Sequence, residues 1–217
     1  IANALGAKTE EIYFTNGGTE SDNWAIKGTA FAYGLRGHIA YSAIEHPAVL
    51  QPCRRLKAQG HPEVEIRVDS SGRLDLGQLR EELKGTKKAL VSVMWANNET
   101  GVVFPMDEIA AICRERGATL HTDAVQAFGH VPVDVKAMNI DILSISGHKI
   151  NAPKGVGAIY IRKGILLNQL ITGGGQEKGR RAGTENVASI VGLGEAARLR
   201  RENMEAEMAH LRRLSEK

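Results

Sequence analysis

The stretch Asp141-Ile142-Leu143-Ser144-Ile145-Ser146-Gly147-His148-Lys149, followed by Pro153-Lys154-Gly155-Val156-Gly157, decides how the chain is read. Its apolar residues alternate with small polar ones, the pattern of a buried strand. The strand breaks at Gly147, and Lys149 stands just past the break. Loops at strand ends are where α/β proteins place their chemistry. A lysine set behind an apolar strand can be partly desolvated, which lowers its pKa and frees the amine as a nucleophile. The chemistry that asks for such an amine is a bond to an aldehyde, above all pyridoxal phosphate. The competing reading is a surface or anion-binding lysine.

Bulk numbers narrow the field. With 217 residues, 42% hydrophobic and 24% charged, the composition is that of an ordinary globular chain. The net charge of +3 is mildly basic. There is no block of like charges and no interleaving of basic with aromatic residues, so no nucleic-acid partner is expected. Arg200, Arg201, Arg212 and Arg213 lie among Glu202, Glu205 and Glu207 and read as a solvated helix face. Cys53 and Cys113 form neither a disulfide framework nor a zinc spacing, which fits a reducing, cytoplasmic setting. Each sits at helical spacing among apolar residues and reads as core. No apolar run approaches a membrane span, so no membrane association is expected. The chain opens on Ile1 within an apparent helix and closes within another, so a piece of a longer protein is expected.

Periodicity then places the elements. Ile12–Thr15 and His38–Ser42 read as strands, as do Val64–Val68 and the near-continuous apolar run Ala89–Ala96. Thr119–Thr122 ends at Asp123, and the strand before Lys149 is answered by Val156–Arg162. Helices are expected over Thr19–Ala32, with Thr19 and Asp22 as a capping box, over Pro47–Ala58, and over Asp75–Leu83. A further helix opens at Pro105 and is closed by Gly117, and the chain is helical from Asn186. Strand-helix alternation of this length predicts one α/β core built on a largely parallel sheet.

Several loops could carry chemistry. Asn16-Gly17-Gly18-Thr19-Glu20 joins a strand to a helix and reads either as a phosphate cradle or as a tight turn with a Thr cap. Walker and GxGxxG spacings are absent, which argues against nucleotides. Asp123 either caps a turn or holds a proton on a pyridine nitrogen, and Gln126 is spaced to point at the same ring. His46 is either structural or placed to stack on a flat ring and move a proton. His148 reads as an anion ligand and His121 as packing. None of the histidines has a ligand spacing, so no metal site is expected. Asn97-Asn98-Glu99-Thr100-Gly101 is a turn whose amides could hold a carboxylate or a ring hydroxyl. Gly173-Gly174-Gly175 leaves its loop with little intrinsic shape, so an outside partner is expected to order it, unless it is a flexible surface loop.

Taken together these segments resemble the cysteine desulfurases of the NifS/IscS type, in the class V aminotransferase group of fold-type I pyridoxal-phosphate enzymes. The resemblance rests on Thr15–Ser21, Glu45–Val49, Asn97–Gly101, His121–Gln126, Ser146–Lys149, Pro153–Gly157, Gly173–Glu177 and Arg181–Asn186, in that order. It implies an α/β fold of the aspartate aminotransferase-like, pyridoxal-phosphate-dependent transferases, with a mostly parallel mixed sheet flanked by helices. A cofactor-binding large domain is implied over 1–185, and over 186–217 a helix leading toward a small domain outside this chain. Pyridoxal 5'-phosphate is the implied cofactor. Lys149 would bond its aldehyde, with His46 stacked on the ring and moving protons. Asp123 would pair with the pyridine nitrogen, Gln126 and Asn98 would face the ring hydroxyl, and Asn98 also the substrate carboxylate. Gly18, Thr19, Ser146 and His148 would hold the phosphate, and Thr184 the phosphate of a second subunit. The implied reaction takes sulfur from L-cysteine, leaves L-alanine, and passes a persulfide to iron–sulfur scaffold or sulfur-carrier proteins. A homodimer is implied. A selenocysteine lyase, another class V member and a non-catalytic fragment are the alternatives. Two departures stand out. Neither Cys53 nor Cys113 matches the family's sulfur-accepting cysteine, so the chain by itself is expected to lack desulfurase activity. Asn151-Ala152 also replaces the Tyr-Gly pair common in relatives.

Overall fold

Short runs rich in β-branched and aromatic residues, five of the seven ended by a small polar residue, build a seven-stranded sheet. The computed structural model describes residues 1–216. Its main strands are β1 (Ile12–Thr15), β2 (His38–Ser42), β3 (Glu63–Ile66), β4 (Ala89–Ser92), β5 (Thr119–Asp123), β6 (Ile142–Ser146) and β7 (Gly157–Ile161). They lie in the order β1-β7-β6-β5-β4-β2-β3. Only β7 runs against its neighbours, pairing antiparallel with both β1 and β6. This is the expected mixed, mostly parallel sheet. Its parallel strands all point their C-terminal ends toward one edge, where α/β sheets bind ligands.

Helices cover both faces. On one lie α2 (Gly18–Tyr33) and α3 (Pro47–Ala58), after a short α1 (Ala2–Leu5). Ile26, Ala30, Val49, Cys53 and Leu56 of these two pack on Ile39, Tyr41 and Leu90. The opposite face carries α4 (Leu76–Glu82), α5 (Met106–Arg116) and the start of α6 (Val187–Ser215). There Leu79, Ile109, Ile112, Cys113 and Leu193 meet Ala40, Val91, Leu120 and Leu143. Neighbouring residues 39, 40 and 41 thus divide between the two clusters, as the alternation of a strand requires. Both cysteines are core residues, as the sequence suggests.

Three expectations change. The capping box at Thr19 and Asp22 does not form, because α2 starts at Gly18 with Gly17 as its cap and no side chain bonds the first turn. The run Ala89–Ala96 is regular strand only to Ser92. Beyond it the N–H groups of Val93 and Trp95 still donate to β5 carbonyls, while Met94 turns toward Glu45. The glycine-rich loop, expected to have little intrinsic shape, carries regular pairing and an anchor within the chain. Within it β8 (Gly175–Gln176) pairs with β9 (Arg181–Ala182), and Arg181 forks onto Glu20 at 2.8 and 3.1 Å.

Candidate active site

Five parallel strands end around one cavity. The turn after β1 brings Gly18 and Thr19, the β2–α3 turn brings His46, and the exit of β4 brings Met94 and Asn98. β5 ends in Asp123, with Val125 and Gln126 following, and β6 delivers Ser146, His148 and Lys149. The cavity measures about 180 Å³. That is many times the space one water needs, and it suits a small molecule.

One end of the cavity is shaped by glycines and a helix start. Gly17 has φ +146°, a conformation that favours glycine. A Cβ at Gly18 would lie 2.8 Å from Val125 Cγ2, so the approach of α2 to the β5 turn needs a glycine there. Because no side chain caps α2, its first N–H groups stay open beside the cavity. Ser146 Oγ and His148 Nδ1 share a hydrogen bond of 2.9 Å at the same end.

The acid end is dry. Asp123 is 4% exposed, and its Oδ1 accepts the Val125 N–H at 2.9 Å. Burial raises its pKa, while the Val125 bond and the charges of His46 and Lys149 pull it back. A new cation near the carboxyl would favour its ionised form further. Asp22, also on the cavity, is fully buried and its Oδ1 has no hydrogen-bond partner. Burial, then the charge of Asp123, raises its pKa well above the usual carboxylate range. Two carboxyls in one low-dielectric pocket resist ionising together, and of the two Asp22 is pushed up further. His121 lies 3.6 Å from Asp22 and bonds Ser92 Oγ at 2.8 Å and Ser144 Oγ at 3.0 Å. Burial pushes its pKa down to about 3, so it is neutral packing, as expected.

His46 caps α3, its Nδ1 accepting the Ala48 N–H at 3.1 Å. With Nδ1 an acceptor, the neutral ring carries its proton on Nε2. Lys149 is exposed, so the expected desolvation behind its strand is not met. It stands in the 3-10 turn Gly147–Ile150, one step outside the sheet, where the chain has already left the core. Thr184 alone among the sequence-derived candidates does not line the cavity. It is exposed, beside Arg181, Glu185 and Asn186 in a separate crevice.

Sequence reasoning missed Asp22, Met94 and Val125 as lining residues. Asp22 could have been found: Ala25, Ile26 and Thr29, all buried, follow it at three, four and seven residues, which puts it on the inward face of α2.

The buried acids make a prediction about stability. Burial raises the Glu45 pKa from 4.5 to about 8. A raised folded-state pKa stabilises fully below the unfolded value, and that contribution is lost as pH climbs through the folded one. The cofactor-free chain should therefore lose stability between about pH 4.5 and about pH 8. The Glu45 share is a few kcal/mol, at about 1.4 kcal/mol per unit. Urea unfolding at both ends of this window measures it, with Glu45→Gln falling less than wild type. An equal fall in the two proteins would contradict the assignment.

Comparison with known proteins agrees with this architecture. The whole chain, residues 1–217, matches the family model described as aminotransferase class-V. It is 55% identical over 199 residues to "Cysteine desulfurase IscS" of Methanosarcina thermophila, covering 91% of this chain and 49% of that protein. It is 53% identical over 199 residues to "Cysteine desulfurase" of Nostoc sp., covering 92% and 50%. Among solved structures, a "NifS-like protein" superposes with a TM-score of 0.95 at 38% identity, over 99% of this chain and 60% of that one. "SspA in complex with cysteine" gives 0.87 at 42% identity, over 91% and 58%. The chain thus spans about half the length of the curated relatives it matches. These likenesses bear out the expected α/β fold of the pyridoxal-phosphate transferases.

Proposed function

The chain belongs to the class-V aminotransferase family, and on that premise we propose that it is the cofactor-binding part of a cysteine desulfurase that uses pyridoxal 5'-phosphate. One observation carries the reading. An amine, Lys149, and a buried carboxyl, Asp123, line a single cavity that opens beside the uncapped N-terminus of α2. An amine, a dry acid and a helix end are the three things an aldehyde, a pyridine nitrogen and a phosphate ask for, so the donor set fits the cofactor.

In this reading Lys149 Nζ holds the aldehyde carbon covalently. Asp123 keeps a proton on the pyridine nitrogen. Gln126 and Asn98 meet the ring hydroxyl, with Asn98 also near the substrate carboxylate. The first N–H groups of α2 at Gly18 and Thr19, the Ser146 hydroxyl and the His148 ring hold the phosphate. His46 lies against the ring, and its Nε2 takes and returns a proton. Bound there, pyridoxal phosphate supplies an electron sink for the carbanion formed beside a substrate amine.

The substrate is L-cysteine, which leaves as L-alanine. The sulfur passes as a persulfide on a thiol from outside these 217 residues to an iron–sulfur scaffold or sulfur-carrier protein. A cytoplasmic homodimer completes the reading, Thr184 of each copy reaching the other's phosphate. Support comes from the exposed, hairpin-anchored position of Thr184 and from the names of the relatives.

Asp123→Ala tests the central role. The variant should still retain the cofactor, through Lys149 and the phosphate contacts. Exchange of the Cα hydrogen of L-alanine with deuterated water, followed by NMR, should slow by about ten- to a thousandfold, since a neighbouring charge moves a pKa by roughly one to three units. Wild-type exchange in Asp123→Ala would remove Asp123 from the mechanism.

A further inference from the structure

Two dipeptides at the mouth of the cavity share one plan. In Glu45-His46 and in Asn97-Asn98 the second residue lines the cavity and the first is buried behind it, 4% and 7% exposed. The buried members reach across to each other's turn. Glu45 Oε1 accepts the Met94 N–H at 2.7 Å and the Ser42 hydroxyl at 2.5 Å. In return Asn97 Nδ2 donates to the Ile44 carbonyl at 2.9 Å. Asn97 Oδ1 meanwhile accepts the N–H groups of Glu99 and Thr100 at 2.9 and 2.8 Å, which folds the turn bearing Asn98. The two turns leave neighbouring parallel strands, β2 and β4.

We propose that Glu45 and Asn97 are positioning residues that lock the His46 turn to the Asn98 turn, fixing two walls of the cavity against each other. Three points support this. The clamp is reciprocal in reach: each buried side chain bonds a backbone group of the opposite turn, Glu45 accepting and Asn97 donating. Met94, whose N–H is held, itself lines the cavity. The Glu45 carboxyl is buried with Oε2 unpartnered, a costly arrangement where a shorter neutral side chain would suffice to cap a turn. Its length is what reaches Met94. Misplacing a catalytic group by about 1 Å can cost on the order of a hundredfold, so a clamp of this kind has a kinetic consequence.

Each variant is read on the far side of the clamp. Asn97→Asp keeps the Oδ1 acceptor and loses the donor to Ile44. Glu45→Met keeps length and loses the acceptor for Met94. Glu45→Gln keeps it. In the cofactor-free chain, Asn97→Asp should shift the His46 imidazole resonances and Glu45→Met the Asn98 side-chain amide. Both should leave the resonances of β1 and β7 in place, and Glu45→Gln should match wild type. Once reconstituted with pyridoxal phosphate, the first two should lose the induced visible circular dichroism of the ring and exchange the L-alanine Cα hydrogen about ten- to a hundredfold more slowly. Unmoved far-side resonances in Asn97→Asp and Glu45→Met would overturn the clamp, as would a shift in Glu45→Gln equal to that in Glu45→Met. Should both breaking variants fail to fold, amide exchange in wild type decides. Slow exchange at Met94 supports the clamp, and fast exchange there overturns it. The circular dichroism arm rests on the proposed cofactor. A wild type with no induced signal sinks that reading, while the resonance arm still judges the clamp.

Discussion

Lys149→Ala should turn a yellow protein colourless. Wild-type chain mixed with pyridoxal phosphate and passed through a desalting column should keep a visible band, and borohydride should fix the cofactor to the peptide containing Lys149. The variant should show neither. The expectation follows from position. Lys149 leaves the sheet one turn past β6, lines the same cavity as Asp123, and carries an amine that the structure leaves exposed. An exposed amine has no help from burial, so in the proposed reading its selectivity for the aldehyde comes from the phosphate and acid contacts assigned to the ring beside it. Those contacts survive in Lys149→Ala, which should bind the cofactor reversibly. Loss of the covalent link should weaken retention by at least about tenfold, or about 1.4 kcal/mol. A visible band of wild-type strength in Lys149→Ala, fixed by borohydride to another lysine, would refute the assignment.

The second expected result is a failure. Supplied with pyridoxal phosphate and L-cysteine, the 217-residue chain should release sulfide no faster than free pyridoxal phosphate. Sulfur transfer needs a thiolate that reaches the cavity. Cys53 lies in the cluster of Ile26, Tyr41, Val49 and Leu56, and Cys113 in α5 on the far face of the sheet. Neither lines the cavity. Burial pushes the Cys53 thiol well up and the Cys113 thiol to about 12. At neutral pH the second is ionised to the order of one part in 10⁵. The same sample should still exchange the Cα hydrogen of L-alanine, which separates a competent cofactor site from an absent sulfur acceptor. Sulfide release well above the free-cofactor rate, abolished by Cys53→Ser or Cys113→Ser, would overturn this division.

Much of this site is legible in the sequence because its residues mark strand ends. Asp123 and Ser146 close apolar runs, and Gly17-Gly18 opens a helix, so residue type and position in the pattern coincide. What escaped depends on direction or depth. Asp22 reads as a cap because Asp at that spacing commonly caps. Its helix instead starts on glycine, leaving Asp22 on the inward face. Lys149 reads as open to partial desolvation because the strand before it is apolar, yet one turn of 3-10 helix carries it outside. Met94 is hidden in an apolar run that looks like uniform strand, and only the Glu45 contact shows where the run turns. The hairpin at Gly175–Ala182 has a tertiary origin, since the fork of Arg181 onto Glu20 joins segments far apart in the chain.

The antiparallel β7 has a consequence for how the molecule is made. Among the described residues β1 is an edge strand whose one strand partner is β7. On the ribosome β1 emerges before β7, and Ile12–Thr15 must stay unzipped until Gly157–Ile161 has left the exit tunnel. The glycine turn at the end of β1 has no floor before then, because Gly157 itself packs against Gly17. A nascent chain therefore carries β1 unpaired until β7 is made, and the glycine turn beside the cavity takes its final form only then.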